Sequence, residues 1–230
     1  MTDSVRSRLR LLHWSRFLLV TVVLVIIGIG LSIWSPYFRE QHVAQKVKGW
    51  GGAAHTESCG PEWLRRIVGD DRMAEFKIFD RIVIVKLEGT AITDAEIAHL
   101  SELTNLRKLS LRKSVATDAG LACLNKLTNL DFLNLEGTVV TDAGLDHLRR
   151  LKDLRILVLT GTAVTDAGMA NLGELTKLRQ LWLGPAVTDA GLVEATKLTN
   201  LVTLGVRGTA VTDKGIDKFK KALPNCNIWD

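Results

Sequence analysis

The side chains best placed to do chemistry are six aspartates, each preceded by threonine: Asp94, Asp118, Asp142, Asp166, Asp189 and Asp213. A stack of carboxylates can hold calcium, but calcium-binding repeats use glycine-rich turns of about nine residues. Here the aspartates recur every 24, 24, 24, 23 and 24 residues. The same pattern suits helix starts. Thr93, Thr117, Thr141, Thr165, Thr188 and Thr212 are of the type preferred at an N-cap, and an aspartate just after the cap faces the positive end of the helix dipole. Thr93 and Glu96 also have the spacing of a capping box. The aspartates are read as caps, and no metal or other cofactor is expected.

Other reactive groups point the same way. His13, His42, His55, His99 and His147 are scattered. His99 and His147 share one helical place two units apart, where a solvated position is expected. Cys59, Cys123 and Cys226 are too few and too dispersed for a disulfide framework or a zinc site. No GxSxG, HExxH, P-loop or dinucleotide fingerprint occurs, so the chain is not expected to be an enzyme. Of the formal charge of +5, residues 1–16 contribute +3 and the remainder only +2, with signs interspersed. A basic stripe for nucleic acid is not expected.

The elements that position these residues follow from the period. Apolar residues of the unit Leu130–Asp153 fall at Leu130, Leu133, Leu135, Val140, Leu145, Leu148 and Leu151. Leu133 and Leu135 have the strand period of two, whereas Leu145, Leu148 and Leu151 share one helical face. Each unit therefore predicts strand, turn, helix and return, with an apolar face that only neighbouring units can cover. Strands stack about 4.8 Å apart and helices about 8–10 Å, so the array is expected to curve with the strands on the concave side. Six units are expected over residues 82–224, closed by a C-terminal cap at 225–230 in which Ile228 adds a strand. The glycine of Thr-Asp-Ala-Gly is expected to permit close backbone packing.

Outward strand places carry the candidate binding residues. Phe132, Ile156, Val158 and Trp182 fall in units three to five, rimmed by Lys108, Arg112 and Glu136. Exposed apolar side chains with a charged rim have the composition of a protein interface.

The consensus LxxLxLxGTxVTDAGLxxLxxLTN resembles leucine-rich repeats, most of all the VTDAGL kind found in F-box-associated proteins and in many bacterial proteins, planctomycete ones included. The resemblance covers residues 82–224, and ALPNC at 222–226 fits the same group. It implies an α/β fold, a curved right-handed horseshoe, and binding of a protein, not a small-molecule substrate or nucleic acid, through the concave face. The pattern departs from the family where Thr90, Ser114, Thr138, Thr162 and Thr209 replace the buried Asn or Cys after the strand, and where Pro185 interrupts unit five.

Ahead of the repeats, Phe17–Trp34 carries no charge and, as a helix, spans roughly 27 Å, close to the thickness of a bilayer core. Trp14, Trp34 and Tyr37 flank it as interfacial rings, and Arg6, Arg8, Arg10 and Arg16 precede it. The expected organisation is a basic cytoplasmic tail (1–16), a transmembrane anchor (17–35), favoured over a cleaved signal peptide because no small-x-small site follows it, a linker (36–60) and a solenoid cap (61–81) built on Trp63, Leu64, Ile67 and Val68 with Phe76–Phe79. The repeats would then lie outside the cytoplasm. The functional expectation is a single-pass membrane protein with a protein-binding repeat domain. The alternative is a self-associating envelope scaffold.

Overall fold

The structure, a computed structural model, describes residues 35, 37–73, 75 and 77–230, less the side chains of Trp63, Asp70, Met73 and Ile78. The tail and anchor, Ser35 apart, lie outside the described residues. Among the described residues no helix is long and apolar enough to cross a membrane.

One eight-stranded sheet runs through the chain in sequence order. Its strands are β1 (Ala53–Ser58), β2 (Asp80–Lys86), β3 (Lys108–Ser110), β4 (Phe132–Asn134), β5 (Ile156–Val158), β6 (Gln180–Trp182), β7 (Thr203–Gly205) and β8 (Asn227–Trp229). β1 pairs antiparallel with β2, and every later pair is parallel. Between strands the chain returns through α4 (Asp94–Leu100), α5 (Asp118–Ala122), α6 (Asp142–Leu148), α7 (Asp166–Met169), α8 (Asp189–Ala195) and α9 (Asp213–Ala222). The leucines of both layers meet in one continuous core in which nearly every strand and helix leucine is fully buried. Each such burial contributes about 1.5–3 kcal/mol. The chain is thus an α/β solenoid of leucine-rich units, and the strand expected at Ile228 forms as β8.

The N-terminal end differs from expectation. Residues 37–49, assigned to a linker, form helix α1, and β1 follows it. Glu40, Val43, Ala44 and Val47 lie on one face of α1, and Val43 and Val47 are buried in the solenoid core. Glu40 reaches further: its Oε2 accepts the Ile82 backbone N–H at 2.8 Å, and its Oε1 lies 3.7 Å from Arg81 Nε. Burial pushes this carboxyl above its usual range, opposed by the Ile82 N–H and by Arg81. At the other end of α1, Trp50 stacks on His99 at 6.4 Å, and Lys46 Nζ lies 3.2 Å from His99 Nε2. His99 is therefore packed against the cap, not solvated. α1 and β1 close the open end of the first unit.

The helix expected in the cap at 61–81 forms, and none of its described side chains belongs to the buried core. α2 (Glu62–Val68) starts after Pro61 and stops at Gly69, whose φ is 82°. Ile67 is 73% exposed, and α2 contacts α3 (Asp70–Met73) in place of the repeats. The Trp63 side chain and Phe76 lie outside what is described.

Turns after the strands need a left-handed residue. Gly89, Gly137, Gly161 and Gly208 supply it, but in unit two the place is Lys113, φ 54°. A left-handed residue with a Cβ is strained by about 1 kcal/mol. Lys113→Gly is expected to raise the urea midpoint, with a gain of roughly 0.5–1 kcal/mol. An unchanged or lower midpoint would show that the lysine stem contributes more by packing on Gly137 than it costs in strain. The next residue is the hydroxyl place. The hydroxyls of Thr90, Thr138, Thr162 and Thr209 donate to the carbonyls of Leu87, Leu135, Leu159 and Val206 at 2.6–2.8 Å, which closes the turn without the amide of the related pattern. Unit five, one residue short, drops Gly184 onto the turn before it. A Cβ there would lie 3.1 Å from both Leu159 O and Thr162 Oγ1.

Candidate functional site

The threonine of each Thr-Asp pair behaves as a cap. Thr117, Thr141, Thr165 and Thr188 each accept the N–H of the residue two positions on, at 3.2–3.3 Å. The aspartate does something further. Its two oxygens reach the following unit, Oδ1 accepting the backbone N–H of the next threonine and Oδ2 accepting that threonine's hydroxyl. The rungs are Asp94–Thr117 (3.0 and 2.6 Å), Asp118–Thr141 (2.8 and 2.6 Å), Asp142–Thr165 (2.7 and 2.7 Å), Asp166–Thr188 (2.8 and 2.6 Å) and Asp189–Thr212 (2.8 and 2.7 Å). At Asp189 the Thr212 N–H, then its hydroxyl, hold the carboxyl below its usual range.

This ladder also explains the glycine. A Cβ on Gly120, Gly144, Gly168, Gly191 or Gly215 would collide with Oδ1 of the preceding unit's aspartate. Unit one has no unit of its kind before it, and there the glycine place holds Glu96. Glu96 Oε2 accepts Thr93 N–H at 2.8 Å and Thr93 Oγ1 at 3.0 Å, so the glutamate replaces the missing aspartate. Five of the six carboxylates are consumed by structure, Asp213 having no further Thr-Asp unit after it. Among the described residues no three His, Cys, Asp or Glu side chains are grouped to hold a metal.

The seven candidate binding residues do come together. Register pairs Lys108 with Phe132, Phe132 with Ile156, and Val158 with Trp182. Phe132, Ile156, Val158 and Trp182 are half-buried on the solvent side of the sheet. Arg112 Nε meets Glu136 Oε2 at 2.9 Å beside them, which raises the guanidinium further above its usual range. Trp182 pairs with Gly205, and a Cβ on Gly205 would strike the indole at Cδ1. The indole therefore lies across β7. Beyond Gly205 comes Trp229, 66% exposed, and a recess of about 460 Å³ opens between Trp182, Thr160, Arg207 and Trp229. Trp229 and Gly205 belong to the same surface and were missed from sequence. The signal was present: Gly205 is the one outward strand place without a side chain, directly beside a tryptophan.

No family model matches the chain, and no curated protein matches it. Solved structures do. Internalin C2 of Listeria monocytogenes is similar at 22% identity over 58% of this chain and 54% of that one, with a TM-score of 0.44. A second internalin of that organism is 19% identical over 72% of this chain and 53% of its own, TM-score 0.48. A leucine-rich-repeat protein of Leptospira interrogans is 22% identical over 57% and 38%, TM-score 0.40. The chain spans about half or less of the length of these proteins.

On the edge where strands begin, charges dominate. The loops at residues 101–107, 125–131, 149–155, 173–179 and 196–202 hold nine Lys and Arg against four Asp and Glu. The turns leaving the same strands, at 111–118, 135–142, 159–166, 183–189 and 206–213, hold three against six. Residues interspersed along the chain are thus sorted in space into a basic entry rim and an acidic exit rim. Part of the sorting is helix capping, since Asp suits helix starts and Lys or Arg helix ends. On the entry rim Glu174 sits between Lys152 and Arg149, and first the lysine, then the arginine, pull its pKa down to about 2. Lys177 pairs with Asp153 at 2.5 Å. All three thiols are free: Cys59 exposed, Cys123 half-buried and Cys226 buried, the last raised by burial.

Proposed function

We propose that this chain is a membrane-held protein of the VTDAGL leucine-rich-repeat kind that binds a protein partner on the concave, strand side of the solenoid. The observation that carries the reading is the run of Phe132, Ile156, Val158 and Trp182 in consecutive strand registers, apolar, half-buried and continued by Trp229 across Gly205 on the outward face of the sheet. Aromatic side chains on rigid strands lose little entropy when covered and are enriched at binding hot spots. Lys108, Arg112 and Glu136 supply the polar rim that sets register with a partner. A protein partner is the reading because the apolar side chains spread over three neighbouring strands with charged residues beside them, the layout of an interface core and rim.

The test is a photo-crosslinker at position 182 in intact cells, compared with one at Val193 on the helix side. The expected result is one stoichiometric partner from 182 and none from 193. Trp182→Ala and Phe132→Ala are expected to weaken that capture by about 10-fold or more each, with the melting temperature nearly unchanged. Crosslinks only between copies of this chain would favour the self-associating scaffold. Equal loss of folding in both variants would assign these side chains to stability alone.

A further inference from the structure

The entry rim has a second feature beside its charge: the chain joins the solenoid there. The first turn of α1 sits at the start of β2, held by Glu40 on Ile82 and Arg81, while the last turn lies beside Trp50 and His99. Val43 and Val47 anchor the helix between those points, so α1 cannot swing away from the first unit. Residues 17–34, the uncharged run, come immediately before this helix in the sequence. At the same end Tyr37 and Phe38 meet edge-on at 5.5 Å, with Phe38 57% exposed.

Three arginines stand on that rim outside any helix: Arg107, Arg155 and Arg179, each one residue ahead of its strand. Helix capping does not account for them, and among the described residues none makes a side-chain hydrogen bond or a close ion pair, Arg155 acting on Asp153 only through its charge. Arg155 and Arg179 belong to neighbouring units, and with Lys177 and Asn200 they line a recess of about 510 Å³. Arg107 and Arg155 line the adjoining recess of about 620 Å³, with Asp131 between them. Four cations (Arg107, Arg155, Lys177 and Arg179) thus line the two recesses against two carboxylates (Asp131 and Asp153), an excess of positive charge that an anionic partner would cover.

We propose that the entry rim docks on the anionic headgroups of the membrane that holds the chain, with Arg107, Arg155 and Arg179 as the lipid-facing residues. This rests on the anchor reading given above. The clamped α1 brings the rim to the bilayer side, and the rim's excess of cations is complementary to anionic headgroups of the extracytoplasmic leaflet within the roughly 8 Å over which charge acts in physiological salt. The solenoid then stands on edge, and its strand face stays open to a partner.

The experiment reconstitutes the full chain in lipid vesicles, with a dye on Thr128→Cys (entry rim) or Val139→Cys (exit rim). Both are made in a Cys59→Ser, Cys123→Ser background, Cys226 being buried. The quencher is a headgroup spin-labelled lipid. With about 30 mol% anionic lipid, quenching at 128 is expected to exceed that at 139 by about threefold. The excess is expected to vanish in neutral lipid and in the R107Q/R155Q/R179Q variant. Equal quenching at the two positions, or an excess that survives the triple substitution, overturns the proposal. Displacement of the rim from the vesicle by duplex DNA at physiological salt would assign it to nucleic acid and overturn it too. Flotation in about 0.5 M NaCl, where charge is screened beyond roughly 4 Å, separates the two readings. A chain that stays with the vesicles there keeps its anchor whatever the dyes report. A chain that floats only at low salt lacks the anchor yet still shows a lipid-binding rim, and one that never floats loses both.

Discussion

Gly168→Ala is expected to lower the melting temperature by about 3–6 °C, although helix propensity alone favours the change by about 1 kcal/mol. The opposing effect is larger. A Cβ at 168 lies 3.1 Å from Asp142 Cγ and from Val164 Cγ1 and collides with Asp142 Oδ1. The carboxylate cannot move aside without releasing Thr165 N–H and hydroxyl at once. Overpacking of this kind costs typically 1–3 kcal/mol, and a lost rung adds to it. Two variants isolate the cause. Gly173→Ala meets only Lys197 Cδ at 3.7 Å and is expected to be neutral or stabilising. Asp142→Ala in the Gly168→Ala background is expected to cost less than the two single losses together, a coupling of about 1 kcal/mol. Thermal melts of the four proteins decide it, and strict additivity would detach the glycine from the carboxylate.

Val47→Asp is expected to be the more damaging change, by about 3–5 kcal/mol, because it places an unpaired carboxylate in the first unit's core. Ile67→Asp, at a place 73% exposed, is expected to stay within about 0.5 kcal/mol of the parent. In a solenoid the end unit is held by one neighbour only, so loss of the cap is expected to fray β2 and α4 first. Hydrogen exchange of those amides, read beside the urea midpoint, checks both points. Equal cost from the two substitutions would remove α1 from the capping role.

The period carried most of the fold. Leucines at strand and helix spacing placed β3 to β8, because each unit repeats one burial problem with one solution. Four things were illegible for physical reasons. The α1 face, Glu40-x-x-Val43-Ala44-x-x-Val47, has helical spacing, but beside glycines and polar residues it is too short to stand out from a linker. The clearer amphipathic signal at Pro61–Val68 names a helix without naming what it packs on. The Asp-to-Thr rungs join residues 22 or 23 apart, so reading each unit by itself shows an N-cap and hides the bridge. Glu96 in the glycine place was the clue, because it breaks the motif only where no preceding aspartate exists. The charge sorting was hidden similarly: alternating signs along the chain belong to opposite edges once each unit turns back on itself.

The handing of a carboxylate from each unit to the next has a bearing on how such a chain changes length. A copy of any middle block, inserted in register, arrives with an acid for its successor and a vacant alpha-carbon for its predecessor, so every bond at both new joints is already satisfied. The block beginning at Ile82 lacks that vacancy and cannot be copied inward without a steric penalty. Growth and shrinkage by gene duplication are therefore open to the interior blocks and closed to the first.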